Sequence, residues 1–163
     1  MSTHEIIRLL VILYLVGAVG LAGAGLVALR DGHDDAERAP AIEAWRRPRA
    51  QLDAIADIAQ ASAAIDISDG LALDATRLAA ASGVALVFDV SPANATLTAA
   101  AAILGREAEA LAWTGGEDYA VLLTAAASLP RLGRVEAGRG VFREREGERI
   151  AVAADGWDHF AEG

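Results

Sequence analysis

The sequence predicts an α+β domain in which helices cover a mixed β-sheet. Short apolar runs of strand length recur along the chain, at residues 9–16, 63–67 and 84–90. Alanine-rich segments whose apolar residues recur with helical spacing follow each of these runs. With 163 residues, the chain is long enough for one domain with a hydrophobic core and too short for two domains of ordinary size.

The first element lies in residues 9–29, which carry no charge and are flanked by Arg8 and Arg30. This run is long enough for a membrane-spanning helix. It also contains four glycines, which are costly inside a helix. We therefore favour a buried strand over 9–16, a glycine turn and a helix over 21–29, with the membrane span as the alternative. The glycines are Gly17, Gly20, Gly23 and Gly25.

The next elements lead to a polar turn. Residues 30–48 predict a loop around a short helical piece. Residues 50–62 predict a helix with one buried face, formed by Leu52, Ile55, Ala56 and Ile58 or Ala59. Residues 63–67 then predict a buried strand. A helix is expected from about residue 69 to 82, with Ser68 as its N-cap and Gly83 closing it.

The remaining elements complete the sheet. Residues 84–90 predict a strand, and an alanine-rich helix follows through Leu104. Residues 113–124 predict a glycine turn that leads into another strand. A further strand is expected near 133–135, and a charged hairpin over 142–150.

Composition excludes several classes of function. The net charge of -9 argues against nucleic acid as a partner, because phosphate neutralisation needs clustered cations. The absence of cysteine excludes disulfides, thiolate zinc sites and a cysteine nucleophile. All fourteen cations are arginine, and a Walker P-loop, a Schiff-base enzyme and a protein kinase each need a lysine.

The strand-to-helix junction at residues 65–70 reads Ile-Asp-Ile-Ser-Asp-Gly and is the first candidate site. A helix N-terminus offers backbone N–H groups to phosphate oxygens. Asp66 and Asp69 add carboxylate oxygens, which are the ligands that magnesium prefers. Alternatively, Ser68 and Asp69 only cap the helix and Asp66 is incidental. The local pattern leaves both interpretations open.

Two later segments add candidate residues. The sequence Thr-Gly-Gly-Glu-Asp-Tyr, which ends at Tyr119, places glycines before Glu117 and Asp118, and glycine lets the backbone approach a ligand closely. A simple turn with solvated acids is the alternative. Near the end of the chain, Trp157 is an aromatic side chain that stacks on a ligand or packs onto the core.

Taken in order, these motifs resemble those of thiamine-monophosphate kinase, a family of the aminoimidazole ribonucleotide synthetase-like group. They are Ile-Asp-Ile-Ser-Asp-Gly-Leu, Thr-Gly-Gly-Glu-Asp-Tyr, Gly-Arg-Val and Gly-Trp-Asp-His-Phe. The resemblance spans about residues 11–160 and implies the α+β fold of the C-terminal domain of that group. It also implies phosphorylation of thiamine monophosphate by ATP with Mg²⁺, giving thiamine diphosphate in the cytoplasm.

Carried over position by position, the resemblance implies roles for five residues. Asp66 and Asp69 would bind magnesium, and Ser68 would contact a phosphate of ATP. Glu117 would contact the thiamine substrate, and Trp157 would lie against its aromatic ring. No residue is expected to act as an acid or base beyond positioning metal and phosphate.

The sequence departs from the family in length. The N-terminal half of family members, which carries most magnesium-binding aspartates, has no counterpart in these 163 residues. We expect an unplaced extension at 1–10, a C-terminal domain over 11–163 and poor activity of this chain alone. It would act in a homodimer or with a separately encoded N-terminal half. A non-catalytic nucleotide or thiamine-phosphate binding module, possibly membrane-anchored through residues 9–29, is the alternative.

Overall fold

The computed structural model describes residues 11–125 and 129–156. Within them, seven strands form one mixed sheet and six α-helices accompany it, which confirms the predicted fold class. The strands are β1 (Ile12–Val16), β2 (Ala63–Ile67), β3 (Val84–Phe88), β4 (Ala120–Ala125), β5 (Arg131–Ala137), β6 (Gly140–Arg145) and β7 (Glu148–Ala151). The helices are α1 (Leu21–Arg30), α2 (Ala39–Arg46), α3 (Ile55–Ile58), α4 (Leu71–Ser82), α5 (Ala95–Ile103) and α6 (Ala108–Thr114).

The strands lie in the order β2-β4-β1-β5-β3-β6-β7. Neighbouring strands are antiparallel except β3 and β6, which are parallel. Within the part of the chain that the structure describes, strand β2 lies at one edge of the sheet and pairs with β4, with Asp66 opposite Val121.

The two faces of the sheet bury different clusters, because successive side chains of a strand point to opposite faces. Leu13 and Leu122 belong to the main core, which helices α4, α5 and α6 cover. Their neighbours Tyr14 and Leu123 belong to a smaller cluster on the other face, against which Ile58 packs.

The glycine-rich start of the chain is a strand and a helix. Residues 12–16 form β1, and the ten residues of α1 begin at Leu21. This confirms the strand, turn and helix expected there. Among the described residues, no helix is long and apolar enough to cross a membrane.

Two helix predictions need correction. Instead of one helix over 50–62, the chain forms a short 3₁₀ turn at Leu52–Ala54 and the four-residue helix α3. Most of the predicted face is not buried, because Leu52 is 70% exposed and Ile55 is 64% exposed, whereas Ile58 packs against the smaller core cluster. Helix α6 was not expected at all; its Trp113 packs edge to face on Phe88 with ring centroids 4.9 Å apart.

Helix α4 begins later than expected. Its first residue is Leu71, and the N-cap position is Gly70 with φ of 115°, so Ser68 is not the N-cap. Gly83 closes the helix in the left-handed conformation with φ of 66°, as predicted. Residues 68–70 therefore form a separate turn between β2 and α4.

Candidate phosphate and metal site

The turn after β2 is held by an acid from the first turn of helix α4. One carboxylate oxygen of Asp74, Oδ2, accepts hydrogen bonds from the backbone nitrogens of Ser68 and Asp69, both at 3.0 Å. Asp74 is only 1% exposed. Two of the N–H groups that were expected to face phosphate are thus occupied by the protein itself. Sequence reasoning missed Asp74, although an acid in the first turn of a helix is a recognisable capping signal.

An arginine of helix α4 forms ion pairs at this turn. Arg77 donates from Nη1 to Asp69 Oδ2 at 2.5 Å and to Asp74 Oδ1 at 2.6 Å. These two carboxylates raise the pKa of Arg77 above its ordinary value, the hydrogen bond to Asp69 being the larger cause. Asp69 is therefore an ion-paired residue, and its side chain is 14% exposed.

The Gly-Gly-Glu-Asp-Tyr segment lies directly against this turn. The backbone nitrogen of Glu117 donates to the carbonyl of Ser68 at 2.8 Å, and that of Tyr119 donates to the carbonyl of Ile67 at 2.9 Å. A Cβ atom on Gly116 would lie 2.6 Å from the carbonyl oxygen of Ser68. Glycine is needed here because two backbone segments of the chain meet at this point. The sequence had instead suggested that the glycine admits a ligand.

The side chain of Tyr119 contacts Glu117 and is close enough to the turn for the charges of Asp66 and Asp69 to act on it. Its hydroxyl donates to Oε2 of Glu117 at 3.0 Å. This hydrogen bond is the largest cause of the raised pKa of Tyr119, and the charges of Asp66 and Asp69 add to it. The hydroxyl contacts Glu117 alone among these acids, and the backbone hydrogen bonds to Ser68 and Ile67 bring its segment next to the turn that carries Asp66 and Asp69.

The backbone of this segment is strained on both sides of Asp118. Glu117 has φ of 65° and Tyr119 has φ of 50°, in the left-handed region that side chains other than glycine rarely adopt. Strain of this kind persists only where the surroundings hold it, and it clusters at functional sites. The hydrogen bonds to β2 and its turn supply that constraint.

Asp118 points away from these acids and was not predicted to be structural. Its carboxylate accepts from the backbone nitrogens of Gly20 at 2.6 Å and Ala22 at 3.0 Å, so it caps the N-terminus of α1. Burial raises the pKa of Asp118 to about 6, against the opposing effect of these N–H donors. The alternative of a solvated acid is wrong for Asp118.

A cleft of about 510 Å³ opens beside the turn. Ala72 at the start of α4 lines it, together with Trp113 and Thr114 of α6 and with Val152 and Asp155. It is large enough for part of a small organic ligand. The last described residue, Gly156, contacts the turn, since a Cβ there would lie 2.5 Å from the carbonyl oxygen of Asp69. Trp157 lies outside the described residues.

The donor set can be compared with what magnesium requires. Among the described residues, no group of three or more His, Asp and Glu side chains could hold a metal ion by itself. Magnesium is commonly bound by one or two carboxylates, with waters and substrate phosphates completing its shell. Asp66, which is exposed, and Asp69 fit that second mode. The hydroxyl of Ser68 makes no hydrogen bond to any residue that the structure describes.

The fold and this turn define an α+β domain of the AIR synthase related type. The sequence profile of "AIR synthase related protein, C-terminal domain" matches residues 11–152, and the chain belongs to this family. It is 34% identical over 160 residues to the thiamine-monophosphate kinase of Aquifex aeolicus, covering 90% of this chain and 51% of that protein. It is 32% identical over 155 residues to the thiamine-monophosphate kinase of Mycobacterium tuberculosis, covering 92% of this chain and 45% of that protein.

A solved structure of the same kind shares the fold. The structure of AaThiL complexed with AMPPCP and TMP superposes with a TM-score of 0.81 at 32% identity. The superposition covers 92% of this chain and 51% of that one. The chain thus spans about half the length of the relatives it matches, and the resemblance seen in its motifs is confirmed for that half.

Proposed function

We propose that this chain supplies the C-terminal half of a site that transfers a phosphoryl group from ATP to thiamine monophosphate. The observation that carries the proposal is that the turn with Asp66 and Asp69 is hydrogen-bonded to the segment with Glu117, whose backbone nitrogen donates to the carbonyl of Ser68 at 2.8 Å. The relatives named thiamine-monophosphate kinase support the choice of substrates, as does the binding of AMPPCP, an ATP analogue, and TMP by AaThiL.

In this proposal each residue has a positioning role. Asp66 and Asp69 would hold Mg²⁺, which would supply charge neutralisation at the phosphates. The hydroxyl of Ser68 donates to a phosphate oxygen of ATP. Glu117, held by Tyr119, contacts the thiamine substrate. Trp157 would lie against the aromatic ring of that substrate.

The reaction suits a site without a general base. A phosphate oxygen of thiamine monophosphate forms a bond to the γ-phosphorus of ATP, and the bond from that phosphorus to ADP breaks. The attacking phosphate is already anionic at neutral pH, so no proton has to be removed. Catalysis then depends on alignment and charge neutralisation, which carboxylates can arrange without a lysine.

The half-length of the chain favours a second candidate function. A chain with one wall of the site could bind nucleotide or thiamine phosphate without turnover, alone or with a partner that supplies the other wall. Full activity would then need an N-terminal half of the kind present in the relatives. We expect little or no turnover from this chain alone.

Two measurements test these proposals. The purified chain is incubated with Mg²⁺, ATP and thiamine monophosphate, and thiamine diphosphate is quantified by chromatography; a normal turnover number would contradict the claim that the site is incomplete. Isothermal titration with ATP and with thiamine monophosphate, each with Mg²⁺, then measures binding. Absence of heat with both ligands would overturn the proposed function.

A pair of variants locates the ligand. Asp66→Asn removes one charge from the candidate site, and Asp53→Asn removes one from an exposed acid in the preceding 3₁₀ turn. We expect Asp66→Asn to weaken Mg²⁺-dependent ATP binding about tenfold, as expected when one ligand charge of a metal site is lost. Asp53→Asn should bind as the unmodified chain does. Equal effects of the two substitutions would place the ligand elsewhere.

A further inference from the structure

Arg77 holds a position that a cation bound to Asp69 would have to share. Its Nη1 atom lies 2.5 Å from Oδ2 of Asp69 and 2.6 Å from Oδ1 of Asp74. One guanidinium nitrogen thus bridges the two carboxylates. The Arg77 side chain is 49% exposed, whereas the carboxylate of Asp74 is buried, so the arginine reaches the turn from the solvent side.

The two ion pairs of Arg77 are not equivalent. Asp74 uses its other oxygen to hold the backbone of Ser68 and Asp69, and it is too buried to face a ligand. Asp69 is the more exposed carboxylate and follows Asp66 by three residues in the candidate metal turn. A second cation at Asp69 would repel the guanidinium and compete for the same oxygen. Arg77 can turn away from Asp69 and still keep its hydrogen bond to Asp74.

We propose that Arg77 is a resident counter-ion of the turn, which neutralises Asp69 until a divalent cation binds and then yields Asp69 while staying on Asp74. This inference rests on the proposed function, because it takes Asp69 as a magnesium ligand. It adds a positioning residue that lies outside the motifs named above. The arginine keeps Asp69 ordered without metal and lowers the affinity of the turn for metal alone.

The test compares metal affinity in three proteins. Mn²⁺, used in place of Mg²⁺, is titrated by electron paramagnetic resonance into the full chain, into Arg77→Met and into Arg46→Met. Arg46 is a matched control: its side chain is also 49% exposed and pairs with Asp34 at 2.8 Å, away from the turn. Each substitution therefore removes one charge from an arginine of the same exposure; Arg77→Met breaks two ion pairs and Arg46→Met breaks one.

The expected result is a selective gain of affinity. Arg77→Met should bind Mn²⁺ about three- to tenfold more tightly, the range expected when a half-exposed ion pair no longer competes. The Mn²⁺ affinity of Arg46→Met should stay within about twofold of that of the unmodified chain. Arg46 pairs with Asp34 rather than with the turn, and solvent screens its exposed charge. If Arg77→Met binds Mn²⁺ equally or more weakly, Arg77 does not compete and the proposal is overturned.

A second measurement needs no variant to fold. In ¹⁵N spectra of the full chain, Mg²⁺ should move the guanidinium signal of Arg77 and leave that of Arg46 in place. A signal of Arg77 that stays unchanged at saturating Mg²⁺ would contradict the proposal. Arg77→Gln, which keeps a donor for Asp74, serves to assign the signal if the methionine variant does not fold.

The outcomes separate this inference from the proposed function. If all three proteins bind Mn²⁺ alike, the inference fails and the magnesium role of Asp69 stands. If none binds Mn²⁺, the inference fails together with that role, and the titrations with ATP and thiamine monophosphate decide whether the proposed function survives.

Discussion

Asp74 accepts a hydrogen bond from the backbone nitrogen of Ser68 at 3.0 Å, reaching back six residues along the chain. Its second oxygen accepts from Arg77 at 2.6 Å. This arrangement shapes the turn between β2 and α4 before any ligand is present. It also explains why helix α4 begins at Leu71 rather than at the expected residue 69.

We expect Asp74→Asn to destabilise the protein markedly. The amide keeps one acceptor but loses the charge that pairs with Arg77, and such losses at buried, hydrogen-bonded acids cost about 2–4 kcal/mol. Urea unfolding followed by circular dichroism measures the change. Asp31→Asn is the control, because Asp31 is exposed and its pair with Arg106 spans 3.7 Å. A loss for Asp74→Asn no larger than that for Asp31→Asn would contradict the role of Asp74.

Gly116→Ala should also be destabilising, because the added Cβ would lie 2.6 Å from the carbonyl oxygen of Ser68. Relieving such an overlap requires backbone movement and costs about 1–3 kcal/mol. The comparison is Gly32→Ala, where φ is 81° but no atom lies within 4 Å of the new Cβ, so only backbone strain is added. The midpoint temperature of thermal unfolding should be lower for Gly116→Ala than for Gly32→Ala. The reverse order would argue against the close backbone contact at Gly116.

The pH dependence of stability should carry a contribution from Asp118. Its pKa in the folded state, about 6, lies above its ordinary value. At pH values between these two pKa values, the folded state therefore binds more protons than the unfolded state. The stability from this group is full below the unfolded pKa and is lost as the pH rises through about 6.

The measurement is the free energy of unfolding of the unmodified chain and of Asp118→Asn at pH 5 and pH 7.5. The advantage of the unmodified chain over the variant should shrink at the higher pH, because the charged carboxylate is the form that burial disfavours. Asp53→Asn, an exposed acid, provides the baseline. A difference that grows with pH would show that the N–H donors of Gly20 and Ala22 outweigh burial.

Tyr119→Phe should weaken ligand binding while leaving the fold intact. The hydroxyl is lost, and with it the 3.0 Å hydrogen bond that orients Glu117. A single hydrogen bond to a charged group contributes about 1.5–3 kcal/mol, but both groups are solvent-accessible, so we expect about a three- to tenfold loss in affinity for thiamine monophosphate. Titration calorimetry measures it, and unchanged affinity would remove Glu117 from the proposed binding site.

Much of the fold could be predicted from local patterns. The strand over 63–67, the helix closed by Gly83 and the charged hairpin after residue 140 all appear as expected. Their signals are short-range, such as alternation, helical spacing and a left-handed glycine. The helix expected over 50–62 is wrong because Leu52 and Ile55, which have the right spacing, stay largely exposed among the described residues, so that burial does not stabilise a longer helix there.

For the candidate site, sequence and structure contributed different things. The sequence alone determined the acids of the 65–70 turn, the diglycine segment and the family in which they occur in this order. Only the tertiary structure decided which groups those acids meet. Asp118 caps a helix 96 residues away, Asp74 occupies the N–H groups of the turn, and Arg77 pairs with Asp69. The partners of Asp118 are set by how distant segments of the chain pack together, which no local spacing encodes. Asp74 and Arg77 lie within eight residues of the groups they contact, and their contacts depend on where helix α4 begins.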